Sequence, residues 1–217
     1  MKKQLLATLA IAALSIGNAS AQKGFSVSVK ALPQFSFLQN ADDNDNNAID
    51  RKATFNAAFG VGGAYHFTAK SGIGLDVLYS LQGQKYEAGN ATVNQKVSYV
   101  KIPLYYTYTA SPSKAVSFTG KIGPQLSLLA DSKVTDGDGH DLVSDSKANY
   151  ESATFGAVLG AGARFRLNSR FALSTEARFD YDFTNAEDDS RAGYPAGRAK
   201  TYNMTTGIEV GLHYKLR

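Results

Sequence analysis

The chain reads as an all-β protein, an eight-stranded antiparallel up-and-down transmembrane β-barrel. Three observations predict it. Eight segments alternate apolar and polar residues with period two, the signature of strands with one apolar face and one polar face. The connections between them vary in length, and the segments themselves are long for a globular sheet, where five or six residues are usual. The chain also opens with a segment of secretory type and carries no cysteine at all.

The opening segment has a basic start, Met1-Lys2-Lys3, then an apolar stretch from Leu5 to Ile16, then the small residues Ala19-Ser20-Ala21. Residues 1–21 are therefore expected to be a cleaved signal peptide, leaving 22–217 as one barrel domain. Residue 22 is Gln, so no lipid anchor is expected. Removal of Lys2 and Lys3 takes the formal net charge from +4 to +2, which points to no nucleic-acid partner. An exported chain without disulfides needs a large core or a closed hydrogen-bonded ring. No apolar run elsewhere reaches the ~18 residues of a membrane helix.

The first strand is Phe25–Leu38, with Phe25, Val27, Val29, Phe35 and Phe37 on one face and Ser26, Ser28, Lys30, Gln34 and Ser36 on the other. Asn40–Asp50 follows as an acidic loop. The second strand is Phe55–Phe67, Thr68–Ser71 is a tight turn, and the third strand is Ile73–Tyr86. Glu87–Lys96 reads as a loop of medium length. The clearest hairpin lies in Ser98–Ala130, split at Ser111-Pro112-Ser113. Its first arm places Val100, Ile102, Leu104, Tyr106 and Tyr108 on one face, and its second arm places Val116, Phe118, Ile122, Leu126 and Leu128 there. Asp131–Glu151 reads as the longest loop. Ala153–Leu167 and Phe171–Phe183 form the next hairpin across Asn168-Ser169-Arg170. Thr184–Lys200 is a loop, and Tyr202–Leu216 is the closing strand.

Long loops after the first, third, fifth and seventh strands, and short turns after the others, predict a bacterial outer-membrane barrel. Aromatic residues near the strand ends, such as Phe25, Phe55, Phe67, Phe171, Phe183, Tyr202 and Tyr214, match its two interfacial girdles. Both termini are then expected on the periplasmic side, and the barrel is expected to be a monomer in outer-membrane lipid. A soluble sandwich or lipocalin-like barrel would reverse the two faces. The polar face is rich in Gly, Ser and Thr, which suits a crowded lumen better than a solvated surface.

Three short motifs carry a resemblance. Tyr99-Val100-Lys101-Ile102-Pro103-Leu104, Lys121-Ile122-Gly123-Pro124 and Glu176-Ala177-Arg178-Phe179-Asp180-Tyr181 resemble strands of PorT-family outer-membrane β-barrels of Bacteroidetes. The resemblance implies an eight-stranded barrel similar in shape to the OmpA membrane domain. It implies no single activity, although the namesake is associated with secretion and gliding machinery.

By alternation, Lys30, Asp76, Lys101, Lys121, Arg164, Arg166, Glu176, Arg178, Asp180, Asp182 and Glu209 point into the lumen. Charges in a water-poor interior must pair or bear a large desolvation cost, so a salt-bridged plug is expected. A narrow path for small solutes or protons is the competing reading. Asp136-Gly137-Asp138-Gly139-His140-Asp141 resembles a calcium loop but lacks the closing Glu, and reads as a solvated acidic loop. His66 and His213 fall at the short-turn ends of their strands and His140 in a loop, so no catalytic triad at the outer rim is expected. No cofactor, metal or enzymatic activity is expected. A structural or interaction protein, contacting a protein partner through its external loops, is favoured over a small-solute channel.

Overall fold

The computed structural model describes residues 24–45, 49–89 and 91–216. The expected signal peptide, residues 1–21, lies outside the described residues. Nine strands occur among them: β1 (Gly24–Asn40), β2 (Asp50–His66), β3 (Ser71–Ala88), β4 (Ala91–Thr109), β5 (Val116–Asp136), β6 (Asp141–Val143), β7 (Ala153–Arg166), β8 (Phe171–Asp182) and β9 (Thr201–Lys215). Eight of them close a ring. Each long strand pairs antiparallel with its neighbours in sequence, β5 pairs with β7, and β1 pairs with β9 through Lys30↔Gly211 and Phe35↔Thr206. The short β6 lies outside the ring and folds back on the end of β5.

The ring turns its polar face inward. On β1, Ser26, Ser28, Lys30, Gln34 and Ser36 are buried, while Val27, Val29 and Phe35 are exposed. On β7, Thr154 and Val158 are buried while Phe155 and Leu159 are about half exposed, at 50% and 52%. Such an inversion is stable only where the outward apolar face meets hydrocarbon and every backbone group is satisfied by closure. Ring-closing strands of 12 to 21 residues exceed the ~9–11 that cross a bilayer. Paired aromatics mark both ends of the outer wall. Phe25–Tyr65 and Phe171–Tyr214 lie near the short turns, with centroids 4.8 and 5.0 Å apart. Phe35–Phe55 and Tyr181–Tyr202 lie toward the long loops, at 5.3 and 5.9 Å.

Three connections differ from the expectation, and each has a local cause. Glu87–Lys96 is not a loop. β3 runs to Ala88, β4 starts at Ala91, and those two residues pair across a two-residue turn. Gly89 has φ 58°, the left-handed conformation that such tight hairpin turns require. Asp131–Glu151 is shorter than expected, because β5 continues to Asp136. Ser98 pairs with Asp131 and Tyr99 with Leu129, so Ala130 is an extra residue, a β-bulge that shifts the phase of the alternation. The remainder of that connection holds β6 and a 3-10 turn at Lys147–Asn149. A second irregularity between Ala53 and Ala58 hides the first residues of β2, which begins at Asp50 rather than Phe55. The acidic stretch after β1 contains a one-turn helix, α1 (Ala41–Asp45), instead of open loop.

Candidate functional site

The lumen holds one connected set of charges at mid-depth. Lys30 of β1 bonds Asp76 of β3 at 2.6 Å and also meets Glu209 of β9 at 3.2 Å. Glu209 accepts from Lys121 of β5 at 2.5 Å and from Arg178 Nη1 of β8 at 2.7 Å. Lys121 lies 3.3 Å from Glu176. Arg178 Nε donates to Asp180 at 2.8 Å, and Lys101 of β4 donates to the other oxygen of Asp180 at 2.8 Å. Four cations and four carboxylates thus form one chain of contacts spanning the barrel, with formal charges in balance. All eight are buried, from 7% exposure for Glu176 down to 0% for Asp76. In so dry a setting every partner is needed, because removing one leaves another charge uncompensated.

Neutral groups complete the set. Tyr105 donates its hydroxyl to Asp76 at 2.8 Å and accepts from Lys30 at 3.1 Å. Its ring lies under both Lys30 and Lys121, 5.0 and 5.5 Å from the ammonium nitrogens. Arg178 also reaches Gln125, and Lys101 reaches Thr205. The wall directly beside two of these charges is thinned by glycine, since Gly62 pairs with Asp76 and Gly160 with Lys121. A Cβ on Gly62 would stand 2.1 Å from Asp76 Oδ1, and one on Gly160 would stand 2.9 Å from Lys121 Cε. These glycines therefore make room for the long polar side chains.

Not every inward residue of the sequence belongs to this set. Asp182 is buried but meets no cation at ion-pair distance among the described residues; it accepts from Thr154 at 2.7 Å and Asn203 at 3.3 Å. Arg164 lies nearer the short turns and bonds no carboxylate among the described residues. Arg166, expected inside, is exposed at the mouth of the ring, because β7 ends there. Below the charge set, a cavity of about 380 Å³ opens at the short-turn end, lined by Ser26, His66, Ser117, Arg164, Arg170 and Lys215 among others.

Three contacts had no sequence signal. His213 Nε2 lies 2.8 Å from Ser174 Oγ, a pairing that depends on the β8–β9 register. Arg198, in the segment between β8 and β9, bonds Asp43 of α1 at 3.0 Å and Glu187 at 2.8 Å, clasping two loops together. Burial pushes the Glu187 carboxyl up, but hydrogen bonds from Arg198 and Thr201 outweigh it and hold the carboxyl below its usual range. The acidic stretch Asp136–Asp141 is occupied by its own turn. Asp136 accepts from the backbone of Asp138 and His140 and from the His140 ring, and Asp141 pairs with Lys133. Those bonds, led by the one from the His140 backbone, hold the Asp136 carboxyl low.

Comparison with known proteins agrees with this architecture. OprG from Pseudomonas aeruginosa is 13% identical, with 90% of this chain and 98% of that one covered, at a TM-score of 0.50. Neisserial surface protein A is 14% identical, with 92% and 100% covered, at 0.51. A major outer membrane protein from Thermus thermophilus is 14% identical, with 89% and 100% covered, at 0.52. At such identities these likenesses speak to the fold alone. No curated protein matches the chain significantly in sequence. Residues 5–215 match the family described as outer membrane protein beta-barrel domain. The closed antiparallel ring agrees with that match, and the chain belongs to the outer membrane protein beta-barrel domain family.

Proposed function

We propose that this small outer-membrane barrel is a closed scaffold, not a pore or an enzyme, and that its long-loop end serves as an interaction surface. The observation that carries the reading is the ion-pair chain from Asp76 through Lys30 and Glu209 to Arg178, Asp180 and Lys101. An eight-stranded ring leaves a lumen that side chains can fill, and here the filling groups are tied to one another. The Arg198 clasp supports the second half of the reading, since it holds the loops after β1 and β8 as one surface.

The long loops face outward, both termini face the periplasm, residues 1–21 are removed on export, and the barrel acts as a monomer. The strand motifs at Tyr99–Leu104 and Glu176–Tyr181 support a place near the PorT-family barrels, and with it a secretion-accessory or surface-binding role. Solute influx tests the closed lumen. Liposomes carrying the folded barrel should exclude small sugars as well as protein-free liposomes do. Influx that rises with barrel content would favour a narrow small-solute channel instead.

A further inference from the structure

We propose that the cavity at the short-turn end is a binding site for a phosphate-class oxyanion. Five side chains that bear positive charge line it: Lys114, Arg164, Arg166, Arg170 and Lys215. No Asp or Glu lines it among the described residues. Arg164 bonds no carboxylate among the described residues, whereas in the layer above every cation meets one. The nearest lumen acid, Glu176, lies against Lys121 at 3.3 Å.

The geometry favours an oxyanion over a neutral solute. The cavity, at about 380 Å³, has room for a small multivalent anion and its water. Three arginines approach from one hairpin: Arg164 and Arg166 on β7 and Arg170 in the turn after it. Guanidinium groups present fixed forks that match phosphate oxygens two at a time. Arg164 also lines the small gap between the cavity and the charge set, so it forms the inner end of the site. Like charges gathered inside low-dielectric walls focus their field on the mouth and raise the local anion concentration. Hydroxyls of Ser26, Ser113 and Ser169 supply further donors along the lining. Lys114, Asn168, Ser169 and Arg170 place the turns at the end of the ring in the lining, which favours a soluble phosphate compound over a lipid headgroup. The inference is independent of what the long-loop end contacts.

Calorimetry with inorganic pyrophosphate as the probe tests it, using the folded barrel in zwitterionic detergent. We expect saturable binding of one anion per barrel. Affinity should fall at least ten-fold in Arg164→Gln/Arg166→Gln and stay unchanged in Lys133→Gln at the opposite end. Should that double variant fail to refold, Lys114→Gln/Arg170→Gln, with both changes at the exposed turns, should weaken binding in the same direction. A second arm separates the two sources of phosphate. A shift of the Arg164 Nε–H resonance in bicelles containing phosphatidylglycerol, but not in phosphatidylcholine alone, with no pyrophosphate response, would assign the site to a lipid headgroup. No response in either arm, or pyrophosphate binding that the variants at the mouth leave unchanged, would overturn the proposal.

Discussion

Glu209 touches three cations, Lys30, Lys121 and Arg178, and is 1% exposed. Its replacement by Ala leaves three positive groups facing one another in the dry lumen. Loss of one partner of a buried pair costs about 3–5 kcal/mol, so Glu209→Ala should lower the urea midpoint of the barrel in lipid vesicles far more than Asp138→Ala in the exposed turn. Equal midpoints would contradict the pairing. Glycines give a finer test on the same layer. A Cβ on Gly62 would strike Asp76 Oδ1 at 2.1 Å, whereas one on the next residue, Gly63, would meet only a backbone oxygen at 4.0 Å. Gly62→Ala should therefore destabilise by about 1–3 kcal/mol, the usual cost of overpacking, with Gly63→Ala close to neutral in the same unfolding assay.

At the scale of elements, the outward face of each strand is a claim about lipid. Leu104 is 48% exposed on β4, and Leu142 is 58% exposed on β6, outside the ring. Arg at position 104 should cost about 2–4 kcal/mol if that position lies at the bilayer midplane. Leu142→Arg should cost little, and unfolding in vesicles distinguishes the two. The loop clasp makes a prediction in pH. The Glu187 carboxyl is held below its ordinary value of 4.5. Its pairing with Arg198 therefore contributes fully above that value and is lost as pH falls through the lowered one. Hydrogen-exchange protection in 184–200, taken relative to the intrinsic rate at each pH, should fall on acidification in the wild type, and Arg198→Gln should show low protection at every pH. Strands with unbroken alternation, such as β7 and β8, were legible in the sequence almost to the residue. Where a bulge shifts the phase, as at Ala130, the pattern that marks a strand is interrupted and the strand reads as a loop. Gly89 hid a turn for a different reason: the polar residues after it resemble a loop until their pairing with β3 and β5 is known.

For the whole molecule, alternation tells which residues share the lumen but not which cation meets which carboxylate. Lys30 finds Asp76 two strands away because β2 presents Gly60 and Gly62 between them. Lys121 and Glu209 come from opposite parts of the chain, and only closure of the ring brings them to 2.5 Å. The position of Arg164 below that layer, and the basic cavity it lines, likewise depend on the ring and its turns. The same closure that creates the ion-pair chain places it across the axial route through the ring. Planar-bilayer recording tests this most directly. The wild-type barrel should insert without any steady conductance, and a stable ohmic pore from the unmodified chain would contradict the closed-lumen account.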